Sequence, residues 1–318
     1  MAHERFPLRL VPDPVPDARV SGDVDVLGAV EVLPGVVRAA RLSRTGLVLG
    51  RTEEFYDTGD ASPDGVDAAL ERAVAVFAGH GPVGVGVAAA GVVDPAAGRI
   101  LEVNDAPALS GYPVADRLAA LVGAPVRVEH RARVQVLGDR WFGPGRGRRS
   151  FASVSTGEVL GVGILYDGDV LAPAGGRSGA HMTVTASGEP CTCGRRGCWK
   201  TVATTRWLRE RAAADGLAPH LSSLGALMAS QDPVARNLVE RYAENLVLGL
   251  ATVQQLFACG LFVLHGEALD GGEPFRALVE ARLRADALTG SETPSVVLGE
   301  ASDTGALLGA AGLVLSGR

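Results

Sequence analysis

Aromatic side chains are scarce in this sequence: Phe, Trp and Tyr together make up 5% of its 318 residues. Ala, Val, Leu and Gly therefore carry the apolar load, and a hydrophobic content of 47% is ample for a packed core. Long apolar runs are also missing. None approaches the roughly 18 residues that read as a membrane span. The amino-terminal stretch MAHERFPLRLVPDPVPDARVSGD carries charge and prolines where a signal peptide has an apolar centre. A cytoplasmic protein with no membrane partner is expected. There is no basic excess, since 30 Lys and Arg stand against 36 Asp and Glu for a net charge of -6. That balance argues against a general attraction for nucleic acid or anionic lipid. Cysteine is confined to four residues, three of them in one short segment, unlike a secreted disulfide framework.

The length allows two domains or one large split one. Residues 1–24 read as a flexible, Pro-rich tail. Three β-like runs follow, VLGAVEV, VVRAARLS and LVLGRTEEF, the last two joined by Arg44-Thr45-Gly46. A helix is expected over DGVDAALERAVAVFAGH, then a strand in VGVGVAAAG, a hairpin in GVVDPAAGRILEV, a helix in PVADRLAALVG and a strand in APVRVEH. The pattern then restarts with SFASVS, VLGVGILYDGD and DVLAPA. Helices follow in TVATTRWLRERAAADG, SSLGALMAS and the long DPVARNLVERYAENLVLGLATVQQLFACG. The chain closes with a strand in LFVLHGEAL, a helix from about Pro274, a strand in PSVVLG and a helix in GALLGAAGLVLSG. A β-meander followed by helix-and-strand units, used twice, implies two similar α/β halves around a cleft. The expected domains are 25–135 and 136–302, with 303–318 returning to the first.

The densest chemistry lies between. His181, Cys191, Cys193 and Cys198 are four metal-type ligands in a C-x-C-G-x-x-G-C setting, where Gly194 and Gly197 allow tight turns. Zinc takes such donors in a tetrahedral cage, and four protein ligands leave no open position, so the site would be structural. The alternative is an unmetallated, buried cysteine cluster. Cys259 sits at an apolar helix end and reads as a core residue.

The H…CxCGxxGC signature resembles that of the ROK family, bacterial sugar kinases and related repressors. GVVDPAAGRI, LSGYPVADRL and GALLGAAGLVL, and the order of elements from about Asp25, add to the likeness. The resemblance implies an α/β fold of two domains of the actin-like ATPase (ribonuclease H-like) type. It also implies a structural zinc held by those four ligands, an interdomain cleft that takes a small molecule, and homo-oligomers, as dimers or tetramers.

The family's kinase motifs, carried onto this chain, are altered one after another. The Asp-x-Gly-Gly-Thr phosphate loop reads Glu31-Val32-Leu33-Pro34-Gly35, in which Leu33 adds bulk and Pro34 removes an N–H donor. The second phosphate loop reads Gly157-Glu158-Val159-Leu160-Gly161. Glu158 puts a negative charge where phosphate would lie, at a cost of about 1 kcal/mol or more. The adenosine-side Gly-Gly is His265-Gly266. The catalytic Asp of Glu-Asn-Asp falls on Arg131 in Glu129-His130-Arg131, and a guanidinium cannot accept a proton at physiological pH. The sugar-contacting Asn, Glu and Glu fall on Ala108, Ser178 and Lys200.

ATP with Mg2+ is therefore not expected as a cofactor. The leading reading is a non-catalytic regulator or sensor that binds a small ligand in the cleft. Direct DNA binding is not expected, because the tail before the first strand has no helix-turn-helix pattern. The basic run at 140–150 reads as a solvated loop. A second reading is an enzyme with new chemistry in the old cleft. There His130 would be a general base oriented by Glu129 or Glu158, and Arg131 and Lys200 would hold an anionic substrate. The weakest reading is an ATP-dependent sugar kinase.

Overall fold

The computed structural model describes residues 25–103, 106–172, 179–287, 293–299 and 304–317. The tail expected over 1–24 lies outside them. The elements are β1 (Leu27–Leu33), β2 (Val36–Leu42), β3 (Val48–Phe55), α1 (Asp64–Ala73), β4 (Gly84–Ala89), β5 (Val92–Asp94), β6 (Arg99–Glu102), α2 (Val114–Val122), β7 (Val126–His130) and α3 (Arg131–Trp141). They continue with β8 (Phe151–Thr156), β9 (Gly161–Tyr166), β10 (Asp169–Val170), α4 (Thr205–Ala214), α5 (Leu224–Ala229), α6 (Pro233–Phe257), β11 (Leu261–Gly266), α7 (Glu267–Ala285), β12 (Ser295–Leu298) and α8 (Gly305–Leu315).

Among the described residues the strands form two five-stranded sheets and the β5–β6 hairpin. The sheets run β3-β2-β1-β4-β7 and β10-β9-β8-β11-β12. Numbered within each half, both have the order 3-2-1-4-5. In each, the first three strands are antiparallel, and the last two run parallel to the first. The repeated meander in the sequence is thus a repeated topology. The central strands are buried on both faces, which is why β4 reads as the unbroken apolar run GVGVAA.

One core lies under each sheet. Val30, Val37, Val66, Leu70, Val87 and Leu118 represent the first. Val154, Trp199, Leu208, Tyr242, Leu250 and Phe262 represent the second. Two helices join the halves. α8 lies on β1 and β4, α3 lies on β8 and β9, and the two helices pack on each other. The expected domain boundary at 135/136 falls inside α3. Small residues set these distances. A Cβ on Gly86 would lie 1.8 Å from the Ala310 carbonyl oxygen, and one on Gly309 would lie 2.3 Å from that of Val134.

Two boundaries differ from the sequence reading. α7 begins at Glu267 rather than near Pro274, because two helical pieces join at Gly272 (φ 61°), and Pro274 opens the second. The first helix ends at Ala73 and tightens into a 3-10 turn through Phe77. Among the described residues no helix is long and apolar enough to cross a membrane.

Candidate ligand cleft and metal centre

Ligands in α/β sheets gather at the carboxyl ends of the parallel strands. Here those ends are Leu33, Ala89 and His130 in the first sheet, and Thr156, Gly266 and Leu298 in the second. Glu31, the run Glu129-His130-Arg131, Gly157 and Glu158, and the pair His265-Gly266 sit at or beside them.

In the first sheet the strand register builds a transverse row of charge. Glu53 on β3 pairs with Arg38 on β2, Arg38 with Glu31 on β1, Glu31 with Ala88 on β4, and Ala88 with Glu129 on β7. Directly paired residues project from one face, so Glu53, Arg38 and Glu31 are contiguous, and only the uncharged Ala88 separates Glu31 from Glu129. Glu31 is buried, at 1% exposure. Its Oε2 accepts from Arg38 Nη1 at 3.0 Å and its Oε1 from Arg131 Nε at 2.6 Å. Arg38 Nε also donates to Glu53 at 2.5 Å. Glu31, set by the resemblance against the Asp of the first phosphate loop, and Arg131, set against the catalytic Asp, are therefore each other's partners. Gly35 takes φ +78° in the β1–β2 turn. Only glycine turns there without strain, but the preceding Pro34 has no N–H to offer a phosphate.

The neighbours of Arg131 have structural work. His130 is the N-cap of α3, its Nδ1 accepting from the Ala132 backbone N–H at 3.2 Å. Burial, helped by Arg133 and Arg131, pushes its pKa down to about 4. A base that weak has little drive to take a proton near neutrality. The expectation that Glu129 orients the imidazole is not met. Glu129 Oε1 accepts from the His130 backbone N–H at 2.6 Å and from Arg133 Nη1 at 3.1 Å.

In the second sheet Gly157 has φ +136° and Glu158 turns onto α4. Arg209 Nη1 and Thr205 Oγ1, the latter at 2.8 Å, both donate to Glu158 Oε1. Arg209 first, and Thr205 after it, hold this carboxyl below the usual range. Gly161 begins β9. His265 turns into the core, where its Nε2 lies 2.8 Å from Asp139 Oδ2. A Cβ on Gly266 would lie 2.0 Å from the Thr156 carbonyl oxygen, so this glycine of the old pair is fixed by packing. Ala108 is buried in the 3-10 turn Pro107–Leu109. Lys200 sits in the turn Trp199–Thr201, its Nζ 3.5 Å from Thr192 Oγ1. Ser178 lies outside the described residues. In the basic run, Arg149 pairs with Asp167 at 2.6 Å, and Arg140 donates to the Gly168 carbonyl.

The four candidate metal ligands converge. The donor atoms of His181, Cys191, Cys193 and Cys198 all lie within 4.8 Å of one another. His181 Nδ1 is 3.5 Å from Cys191 Sγ, and Cys193 Sγ is 3.6 Å from Cys198 Sγ. A tetrahedral zinc with bonds of about 2.3 Å to sulfur and 2.0–2.1 Å to nitrogen spaces S···N at about 3.5 Å and S···S at about 3.8 Å. A disulfide would need about 2.05 Å, and all four cysteines are free. The residues fit zinc. The backbone N–H of Arg195 is the main influence holding the Cys193 thiol below its ordinary range. Burial pushes Cys198 up to about 12. Cys259 is buried, with its thiol likewise raised to about 12 by burial alone, as suits a core residue.

Sequence reasoning missed Arg38, Thr205, Arg209 and Asp139. For Arg38 a signal existed: Glu31, Arg38 and Glu53 fall at mutually opposite positions once the meander is paired. No local pattern ties Thr205 and Arg209 to Glu158, 47 and 51 residues away.

A model of the ROK family matches residues 50–316. A glucokinase of Halalkalibacterium halodurans is 32% identical over 148 residues, 46% of this chain and 44% of that protein, so the chain spans less than half the length of this curated relative. Among solved structures, a ROK family glucokinase from Streptomyces griseus, in complex with glucose and AMPPNP, superposes with a TM-score of 0.76. It is 26% identical and covers 91% of this chain and 98% of its own. A ROK family transcriptional regulator, a homolog of the E. coli MLC protein, gives a TM-score of 0.80 at 21% identity, covering 92% and 78%, a likeness of fold alone.

Proposed function

The chain belongs to the ROK family, and from that premise we propose that it is a non-phosphorylating member, a sensor or regulator that binds a small ligand in the cleft. The observation that carries this reading is the Arg131–Glu31 bond at 2.6 Å. A sugar kinase needs a carboxylate poised to take the hydroxyl proton and another managing the metal. Here the first is a guanidinium and the second is consumed by it. The acid at Glu158 and the proline at Pro34 support the same reading from the ATP side. The frame is shared with a ROK family glucokinase, and its fold with a ROK family transcriptional regulator.

The ligand class is a small anion. Arg131 bonds Glu31 through Nε and retains 35% side-chain exposure. It also stands at the first position of α3, where helix N–H groups favour negative charge. The frame is held by a structural zinc on His181, Cys191, Cys193 and Cys198, and the protein works as a homo-oligomer. Calorimetry tests the reading. Wild-type protein gives no heat with ATP–Mg2+ or with a hexose panel. A carboxylate or phosphate monoester that raises Tm loses that effect in Arg131→Ala. Tight binding of ATP–Mg2+ would overturn the proposal.

A further inference from the structure

An edge strand presents a row of backbone N–H and C=O groups to whatever strand can pair with it. Among the described residues the edges are β3 and β7 in the first sheet and β10 and β12 in the second. β10, β12 and β7 are only two, four and five residues long. β3 has eight, VLGRTEEF, with no proline to spoil pairing. Its register on β2 shifts once, at Leu49, because Leu42 pairs with Val48 and Arg41 with Gly50. From Gly50 to Phe55 the pairing is unbroken, so the outer side of this stretch is regular as well.

The two faces of β3 are used differently. Thr52 and Glu54 turn to α1, where Thr52 Oγ1 donates to the Ala73 carbonyl at 2.8 Å and Glu54 Oε2 accepts from Arg72 Nε at 2.7 Å. Arg51, Glu53 and Phe55 alternate with them on the other face. Phe55 is 68% exposed there, and Leu49 at the bulge is 41% exposed. Two exposed apolar residues therefore flank two charges of opposite sign, and Thr52 lies at the midpoint of Leu49, Arg51, Glu53 and Phe55.

We propose that β3 is the surface on which a second copy of this chain docks, its own β3 running antiparallel, so that the two first sheets become one continuous sheet. Identical antiparallel strands are related by a twofold axis normal to the sheet and passing through one residue. With the axis at Thr52, Arg51 of each copy lies opposite Glu53 of the other, and Leu49 lies opposite Phe55. Moving the axis to Arg51 sets that arginine against itself, and moving it to Glu53 does the same to the glutamate. Like charges directly opposite destabilise a strand pair, so the sequence is complementary to itself in one register. Glu53 also bonds Arg38, which bonds Glu31, which bonds Arg131. The charged row that ends at Arg131 thus runs on into the second copy. The proposal rests on the homo-oligomer reading above and is independent of the ligand.

Sedimentation velocity over a concentration series tests this on the full chain, with circular dichroism to check folding. Wild-type protein should self-associate. Arg51→Glu and Glu53→Arg should each weaken that association by about tenfold or more, because each variant alone sets like charges opposite on both sides of the axis. Mixed in equal amounts, the two variants should associate as the wild type does, because each supplies the charge that the other lacks. Glu53→Arg loses the bond to Arg38, and if it does not fold, a benzophenone-bearing amino acid at Phe55 is irradiated in a mixture of isotope-labelled and unlabelled chains. The cross-link should join Phe55 of one copy to Leu49 or its neighbours in the other. Association unchanged in folded Arg51→Glu, or no recovery in the mixture, would overturn the β3 surface and leave a homo-oligomer built through another one. A wild-type chain that stays monomeric would overturn both. Cross-links confined within single chains would also overturn it, in favour of a segment of the same chain covering the edge.

Discussion

Replacing Glu31 by glutamine removes the one charge that two guanidiniums share. Its side chain is 1% exposed and bonds Arg38 at 3.0 Å and Arg131 at 2.6 Å. Removing one partner of a fully buried ion pair costs about 3–5 kcal/mol. The arginines here keep 25% and 35% side-chain exposure, and Arg38 retains Glu53 at 2.5 Å. Both released cations therefore reach water, and glutamine still offers one acceptor oxygen. These discounts bring the expected loss to about 2 kcal/mol. At a urea slope of about 3 kcal/mol/M, the midpoint falls by about 0.7 M. Urea unfolding followed by circular dichroism reads that shift. Glu31→Gln, Arg131→Gln and the double variant form a cycle whose coupling should be at least about 1 kcal/mol. A midpoint within 0.1 M of wild type, or strict additivity, would refute the claim that Arg131 and Glu31 stabilise each other.

Three further outcomes follow from the same geometry. His130 is held neutral with its pKa near 4, below the value of 6.5 it has when exposed, so the unfolded chain binds a proton that the folded chain refuses. Stability is therefore lost as pH falls from 6.5 through 4, by up to about 3 kcal/mol. His130→Asn, which keeps an N-cap acceptor, should flatten that part of the profile relative to wild type in urea titrations at stepped pH. Elemental analysis and native mass spectrometry should find one zinc per chain. Cys198→Ala should lose that zinc and lower Tm by 10 °C or more, and full Tm without metal would contradict a structural role. Gly86→Ala places a methyl 1.8 Å from the Ala310 carbonyl oxygen, so α8 must lift off β4. About 3 kcal/mol should be lost, against less than about 0.5 kcal/mol for a Cβ at Gly81, which meets nothing within 4 Å.

The repeated meander was legible because antiparallel strands with tight turns announce themselves locally, and both sheets then follow one order. The convergence of His181, Cys191, Cys193 and Cys198 was legible because the four lie within 18 residues and glycines mark the turns between them. The departures at Pro34, Glu158 and Arg131 were legible as losses. What replaced them was not, because partners such as Arg131–Glu31 are 100 residues apart and are joined only by sheet register. His130 is the clearest case. Beside Glu129 and Arg131 it reads as a catalytic group, yet its place immediately before a helix makes it a cap. His265 likewise stands in for a ligand-facing glycine and turns instead to Asp139 in the core. The bonds from α3 to the second sheet left a faint trace, the polar residues Gln135 and Asp139 four apart on an otherwise apolar stretch. Their partners come from β8 and β11, which no periodicity predicts.

The most direct test of the account is phosphoryl transfer itself. Purified, zinc-replete protein is incubated with ATP–Mg2+ and glucose, and sugar phosphate is measured beside Arg131→Asp, which returns a carboxylate to the base position. The account predicts no product above the buffer rate for the wild type, and none for Arg131→Asp, because Pro34 and Glu158 still deny the phosphates their cradle. Multiple turnovers of sugar phosphate by the wild-type protein would contradict it.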